Sequence, residues 1–180
     1  DITARKEVEL ALRQSEASYR GLFNSVAEAI YVQDAEGRFL DVNAGAVHMY
    51  GYPRKFFMGK TPEVLAAPGH TDIKHVESAV KRALAGEPQE FEFWGQRANG
   101  DVFPKDVRLY KATYFGQDVV IALAQDITER KRAEEALRES EARFRTLVEE
   151  APDAIFIQTH GRFAYVNAAA LRLFGAARPE

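Results

Sequence analysis

Residues 42–61 read VNAGAVHMYGYPRKFFMGKT, a run in which short helical pieces are interrupted at close intervals. Glycine and proline punctuate the run, and neither residue type continues a helix without a cost in stability. Asn43 comes directly before the first helical piece, where a side-chain amide can cap the first turn. The run therefore predicts a series of short helices instead of one long helix. The residues that break it are Gly51, Pro53, Gly59 and Pro62.

On either side of this run the pattern changes to strands and one longer helix. Residues 29–33 and 38–42 are apolar or β-prone and flank a polar turn, which is typical of a hairpin. Residues 72–85 predict an amphipathic helix that stops at Gly86. Three further strands are predicted at 89–96, 102–111 and 117–125. This order predicts an α+β fold: a five-stranded antiparallel sheet with short helices and one long helix on one face.

The sequence repeats itself with a long period. DITARK at 1–6 recurs as DITERK at 126–131, and the match continues into the following segments of both copies. A repeat of this length indicates duplicated domains, because solenoid repeats are shorter. The second copy stops about a third of the way through, so we expect the chain to be a piece of a longer protein. A truncated copy cannot bury a core alone, and residues 152–180 are expected to be poorly ordered or to borrow a partner.

Each copy opens with a predicted helix whose apolar residues follow a heptad spacing. We expect these linker helices to form the seam of a parallel homodimer, and an amphipathic helix lying on its own domain is the open alternative. The seam residues are Val8, Leu12, Tyr19 and Leu22 in the first linker and Leu137, Phe144 and Leu147 in the second. The predicted divisions are a linker helix at 1–25, a complete domain at 26–128, a coiled-coil linker at 129–150 and the start of a second domain at 151–180.

The composition restricts the classes of function. The net charge is −3 and like charges do not cluster, so nucleic acid is not an expected partner. The absence of cysteine excludes disulfides and thiolate metal sites and fits a cytoplasmic location. No apolar stretch approaches the roughly 20 residues that cross a bilayer. We therefore expect no membrane contact in this fragment. This expectation does not extend to the longer protein, which can have a membrane anchor.

The same segments resemble a known family. VNAGAVHMYGYPRKFFMGKT at 42–61, RANGDVFP at 97–104 and the closing DIT-x-RK segment resemble the signature of PAS domains. The resemblance covers residues 16–131, and VNAAALRLFG at 166–175 repeats the signature. It implies a sensory and signal-relay module of a bacterial signalling protein, with or without a small-molecule ligand. The output domain downstream would belong to a histidine kinase of a two-component system or to a cyclic-dinucleotide enzyme.

The fragment itself is predicted to be non-catalytic. Glycine-rich nucleotide loops, zinc-protease motifs and nucleophile elbows are missing from the sequence, and the four histidines lack metal-ligand spacing. Two other functions stay open beside the relay. One is a haem- or flavin-binding gas or redox sensor, and the other is a ligand-free dimerisation scaffold.

The cofactor alternatives depend on the resemblance. His75 resembles the proximal haem ligand of oxygen-sensing relatives and would be the ligand of the metal, the haem iron. A neutral imidazole suits this role. Those relatives carry an arginine on the next strand, at the place where this chain has Phe91. Trp94 lies on a strand that presents aromatic side chains to flavin in flavin-carrying relatives. A solvated histidine and a core tryptophan are the plainer interpretations. Cysteinyl-flavin photochemistry is excluded, because residues 59–62 read Gly-Lys-Thr-Pro.

The segment Asp126-Ile127-Thr128 joins the last predicted strand to the outgoing helix. Thr128 is predicted to be the N-cap of that helix, and Asp126 is expected to pair with a basic residue of the sheet or of the incoming helix. This segment is the covalent route from the sheet to the next domain. These three residues are therefore the predicted signal relay.

Overall fold

The computed structural model describes residues 2–175, leaving aside the side chains of residues 3 and 4. The chain divides into two compact units, Asp1–Thr128 and Glu129–Glu180. The larger unit contains the cavity and the strand-to-helix junction on which the function depends. Its elements in chain order are α1 (Ile2–Ser25), β1 (Ala29–Gln33), β2 (Phe39–Val42), α2 (Ala44–Tyr50), α3 (Arg54–Phe57), a 3₁₀ helix (Pro62–Leu65), α4 (Ile73–Leu84), β3 (Gln89–Gln96), β4 (Val102–Tyr114) and β5 (Gln117–Asp126).

The five strands form one antiparallel sheet in the order β2-β1-β5-β4-β3. The first strand in the sequence therefore lies in the interior of the sheet, between β2 and the last strand, β5. The core joins inward side chains of the sheet to those of α2, α3, the 3₁₀ helix and α4. The predicted α+β fold with a five-stranded antiparallel sheet is confirmed.

Local sequence accounts for the ends of the elements. Asp72 caps α4 by accepting hydrogen bonds from the amides of Lys74 and His75. The helix is one residue shorter at each end than predicted, because Asp72 and Ala85 are its caps. Strand β4 runs three residues beyond its predicted end. Its extra residues pair with the start of β5 across a tight turn in which Phe115 and Gly116 both have positive φ.

The side chain of Asn43 forms hydrogen bonds to several segments at the start of the domain. Its predicted capping role is confirmed. Its Oδ1 atom accepts hydrogen bonds from the amide of Ala46 in the first turn of α2 and from the amide of Ile30 in β1. Its Nδ2 atom donates to the carbonyl oxygens of Val26 and Glu28 at 3.2 and 2.9 Å. The side chain is fully buried. One amide therefore connects β1, α2 and the segment that follows α1.

The second unit repeats this arrangement. After α5 (Thr128–Glu150), which begins at the unit boundary, come β6 (Phe156–Thr159), β7 (Arg162–Val166) and α6 (Ala168–Phe174). The two strands form an antiparallel hairpin. Asn167 caps α6, accepts from the amide of Ile155, and donates to the carbonyl oxygens of Val148 and Asp153. The expectation about order in residues 152–180 stays a prediction, and residues 176–180 lie outside the described residues.

Candidate functional site: a core cavity and a strand-to-helix junction

The larger unit contains a cavity of about 30 Å³, partly open to solvent, between the sheet and the helices. Its walls come from β1 to β5, the 3₁₀ helix and α4, and they are mainly apolar. The polar side chains among them are those of Tyr31, Gln33 and Lys105. We call this space the core cavity. Its lining residues are Tyr31, Gln33, Phe39, Pro62, Leu65, Val76, Val80, Phe91, Phe93, Lys105, Val107, Leu109, Ala122 and Ala124.

Lys105 is the charged residue of the core cavity. It is 4% exposed, and its ammonium lies 4.5 Å from the ring centre of Phe93, 4.8 Å from that of Tyr50 and 5.0 Å from that of Tyr31. Burial lowers the pKa of Lys105 from 10.5 to about 7, because an apolar surrounding disfavours the charged form. A lysine of this kind exchanges its proton near neutral pH, whereas an exposed lysine stays charged.

The position of Lys105 follows from the alternation of side chains along β4. Phe103, Lys105, Val107 and Leu109 occupy every second position, and all four are buried. Lys105 pairs with Phe93 on one neighbouring strand and with Asp126 on the other. A lysine in an otherwise apolar inward-facing row must therefore point into the core, since the register of both pairings fixes its side.

The strand-to-helix junction is built around Asp126, at the end of β5. Its Oδ1 atom accepts hydrogen bonds from the amide and the hydroxyl of Thr128 at 2.9 and 2.6 Å. Its Oδ2 atom forms an ion pair with Arg97, which lies in the turn between β3 and β4. Asp126 therefore pairs with a basic residue, as predicted, although this residue lies in the β3–β4 turn and not on a strand or on the incoming helix.

The balance of forces at the junction favours the charged form of Asp126. Burial alone would raise its pKa, but the hydrogen bonds from Thr128 and Arg97 outweigh burial and hold the pKa below the usual value. Thr128 was predicted to be the N-cap, but α5 includes it as its first residue. The amide and the hydroxyl of Thr128 both donate to the Asp126 carboxylate, which therefore caps the start of the helix.

Arg97 connects the junction to the helical side of the domain. Its guanidinium donates to the backbone carbonyl of Met49 in α2, and it stacks on the ring of Phe103 at 3.7 Å. Ile127 is buried, and its amide donates to the carbonyl of Pro104 in β4 at 3.1 Å. The end of β5 is therefore held simultaneously by α2, β4 and the β3–β4 turn.

The three predicted cofactor residues do not converge on one site. Phe91 lines the core cavity, but His75 is exposed, and its ring is perpendicular to that of Phe91 at 5.5 Å between ring centres. Trp94 is half-buried and does not line the cavity, and its ring lies 5.7 Å from that of His70. A cavity of 30 Å³ does not fit a haem or a flavin. The arrangement of these residues does not match either group.

The residues predicted for the dimer seam differ in their surroundings. Tyr19 is half-buried, stacks on Phe23 at 5.3 Å, and lies 6.1 Å from Tyr114 of β4. Tyr19 therefore packs on its own domain. The other seam residues are more than 60% exposed in the single chain: Val8, Leu12, Leu22, Leu137, Phe144 and Leu147.

The sequence analysis did not identify Asp41, a buried residue of β2. Its buried carboxylate lies 2.7 Å from the guanidinium of Arg54 and accepts a hydrogen bond from the Tyr114 hydroxyl at 3.1 Å. Arg20 of α1 lies 3.9 Å from the same carboxylate. The signal was present in the sequence, because an aspartate two positions after Phe39, in the hydrophobic row of β2, predicts a buried charge that requires partners.

Within residues 2–175 no helix is long and apolar enough to cross a bilayer. The same part of the chain contains no cluster of three or more histidine, cysteine or acidic residues suited to hold a metal ion.

Comparison with known proteins gives a consistent result. A family model described as PAS fold matches residues 23–132, and a model described as PAS domain matches residues 142–180. The chain is 28% identical over 140 residues to the methyl sulfide methyltransferase-associated sensor of Methanosarcina acetivorans, covering 77% of this chain and 14% of that protein. It is 27% identical over 184 residues to sporulation kinase E of Bacillus subtilis, covering 100% of this chain and 24% of that protein.

The fold agrees with these matches. The solved PAS domain of an HTR-like protein from Haloarcula marismortui superimposes with a TM-score of 0.58 at 25% identity, covering 68% of this chain and 99% of that one. The chain spans less than a quarter of the length of either curated relative. PAS domains are typically non-catalytic sensory modules within signalling proteins. This chain belongs to the PAS domain family and is a sensory module of the kind found in sensor kinases.

Proposed function

We propose that this module relays changes in its core cavity to α5 through Arg97 and Asp126. The observation that carries the proposal is the double attachment of Arg97. Its guanidinium bonds to α2 on one side and to the carboxylate that caps α5 on the other. Movement of the helices over the sheet therefore changes the position of a charged group that orients the first turn of α5.

The core cavity lies next to this connection. Phe103, on which Arg97 stacks, is two positions from Lys105, and Tyr50 contacts both Phe103 and the ammonium of Lys105. A ligand that displaces Tyr50 or Lys105 would alter the packing beneath Arg97. Relay requires two arrangements of the junction that ligand binding favours unequally. The ion pair between Arg97 and Asp126, either made or broken, supplies two such arrangements.

The module is proposed to be non-catalytic and to act on an output domain elsewhere in a longer signalling protein. The kinase relative named above supports a sensor kinase as that output. The linker helices are proposed to form a homodimer. Exposed apolar residues at heptad spacing on α1 and α5 support this part of the proposal, because single helices with such a stripe gain stability by pairing.

The relay is tested with Asp126→Asn, which keeps the size of the side chain and removes its charge. The matched control is Asp118→Asn, since Asp118 is on the same strand, is 59% exposed and pairs only with Lys111 among the described contacts. In the intact signalling protein we expect Asp126→Asn to change the output activity several-fold and Asp118→Asn to leave it unchanged. Hydrogen exchange of the amides in the first turn of α5 should quicken in the same variant.

A double-mutant cycle separates relay from loss of folding. Arg97→Ala and Asp126→Ala should have non-additive effects on output, because each removes the same ion pair. The unfolding free energy of each variant is measured in parallel. Additive effects on output, or an equal response to Asp118→Asn, would contradict the proposed relay.

A further inference from the structure

The ammonium of Lys105 has three N–H donors and no acceptor. Its described contacts are the faces of three aromatic rings, and within residues 2–175 no hydrogen bond or ion pair reaches it. Aromatic faces attract a cation but do not accept a strong hydrogen bond. A buried charge without a hydrogen-bond acceptor is costly, so this position would be expected to hold an apolar residue unless the charge is used.

The groups around Lys105 do not neutralise it. Tyr31 of β1 and Tyr50 of α2 are buried, and burial raises the pKa of both hydroxyls, so they stay uncharged near neutral pH. Asp126 of β5 is the cross-strand partner, but its two oxygens are bonded to Thr128 and Arg97. The walls contributed by β3, α4 and the 3₁₀ helix are apolar. Within the described residues, therefore, no group supplies a countercharge to the protonated form of Lys105.

The core cavity restricts the chemistry of a partner for Lys105. One ammonium balances one negative charge, and the other polar side chains that line the cavity, Tyr31 and Gln33, are uncharged. A volume of 30 Å³ is equivalent to about two or three water positions, so an occupant has very few non-hydrogen atoms unless the walls move. Leu65, Val76 and Val80 line the side away from the sheet and suit a short hydrocarbon group.

Resting on the function proposed above, we propose that the core cavity binds a short-chain monocarboxylate ion, with the ammonium of Lys105 as its countercharge and hydrogen-bond donor. The carboxylate group of the ligand faces Lys105, and the one or two carbon atoms of its alkyl group lie among the apolar side chains of the cavity. Binding requires the protonated lysine. Above neutral pH the complex therefore takes up a proton that the free protein lacks.

Sodium acetate is the probe, and sodium chloride at equal ionic strength is the blank. Amide and lysine Cε signals of the isotope-labelled chain are followed by NMR. We expect saturable shifts at residues that line the core cavity, with acetamide, the uncharged molecule of the same size, binding at least tenfold more weakly. The pKa of Lys105, read from its Cε signal, should rise by one unit or more at saturating acetate.

Two lysine variants locate the charge. Lys105→Met removes it at nearly constant volume, and we expect acetate affinity to fall at least tenfold. Lys111→Met is the control, because Lys111 is on the same strand but is exposed and paired with Asp118. The acetate affinity of this variant should equal that of the wild-type protein. If Lys105→Met does not fold, the pKa shift of Lys105 in the wild-type protein decides the question.

Three results would overturn the inference: no saturable shifts with acetate, equal binding of acetamide, or unchanged acetate binding by Lys105→Met. The relay proposal is tested without any ligand, through Asp126 and Arg97. A negative acetate titration with an intact Asp126 effect therefore rejects the ligand class and keeps the relay. Acetate binding without an Asp126 effect rejects the relay and keeps the site.

Discussion

Substitution of Lys105 by methionine should flatten the dependence of folding stability on pH. In the folded chain the pKa of Lys105 is about 7, whereas the ordinary value of 10.5 applies to the unfolded chain. Between these two values the folded state binds fewer protons than the unfolded state. The free energy of unfolding therefore rises with pH in this window, and below pH 7 the group is protonated in both states and adds no slope.

The size of the effect follows from the two pKa values. One pKa unit corresponds to about 1.4 kcal/mol, and the slope reaches that value per pH unit once the folded lysine is mostly neutral. Between pH 7 and pH 9 the wild-type domain should gain about 2 kcal/mol from Lys105. The methionine variant lacks this gain. At pH 6 the variant should be the more stable protein, because it does not bury a charge.

Urea unfolding at pH 6, 7, 8 and 9 measures the effect. The chain has one tryptophan, Trp94, which lies in β3, so its fluorescence reports on the larger unit alone. The difference between wild type and Lys105→Met removes contributions from other titrating groups. Lys111→Met serves as the control and should parallel the wild type. Parallel curves for wild type and Lys105→Met would refute the buried, proton-exchanging lysine.

Three further outcomes are expected. Asn43→Ala should lower the unfolding free energy of the larger unit by about 2 to 4 kcal/mol, since four backbone groups, one buried and three partly buried, lose a partner at up to about 1 kcal/mol each. Asn167→Ala is the control and should leave the tryptophan transition unchanged. Tyr50→Phe should raise the unfolding free energy by about 1 kcal/mol, because the hydroxyl is buried without a partner, and a loss of more than that amount would contradict this account. Leu137→Asp with Leu147→Asp should weaken self-association in sedimentation equilibrium at least tenfold, and unchanged association would exclude α5 from the seam.

Local rules predicted much of the fold. The capping role of Asn43 and the ends of α4 depend on residues within four positions, so a single sequence is sufficient to place them to within one residue. The end of β4 required more, because its last three residues are ordered by pairing with β5 through the Phe115-Gly116 turn. Strand length in a hairpin is set jointly by two segments, and the alternation within one segment does not reveal it.

The candidate site was harder to predict. His75 is exposed, in agreement with the plainer interpretation of a solvated histidine, because its neighbour Val76 faces the core and the helical turn carries His75 to the surface. Lys105 continues the inward row of Val107 and Leu109, but a lysine is normally assigned to solvent. The partner of Asp126 was expected to be basic. That it is Arg97, 29 residues away, depends on how the β3–β4 turn folds back over the sheet.

The two asparagines have a consequence for engineering. Asn43 and Asn167 stand at equivalent places 124 residues apart, and each ties the polypeptide arriving from a linker helix to the first strand and first helix of its own unit. The connection between linker helix and domain is therefore made in both units by equivalent hydrogen bonds of one asparagine. Chimeras cut within a linker helix carry the complete connection with them. Such modules should be interchangeable along a tandem array, provided that the heptad phase of the linker is preserved.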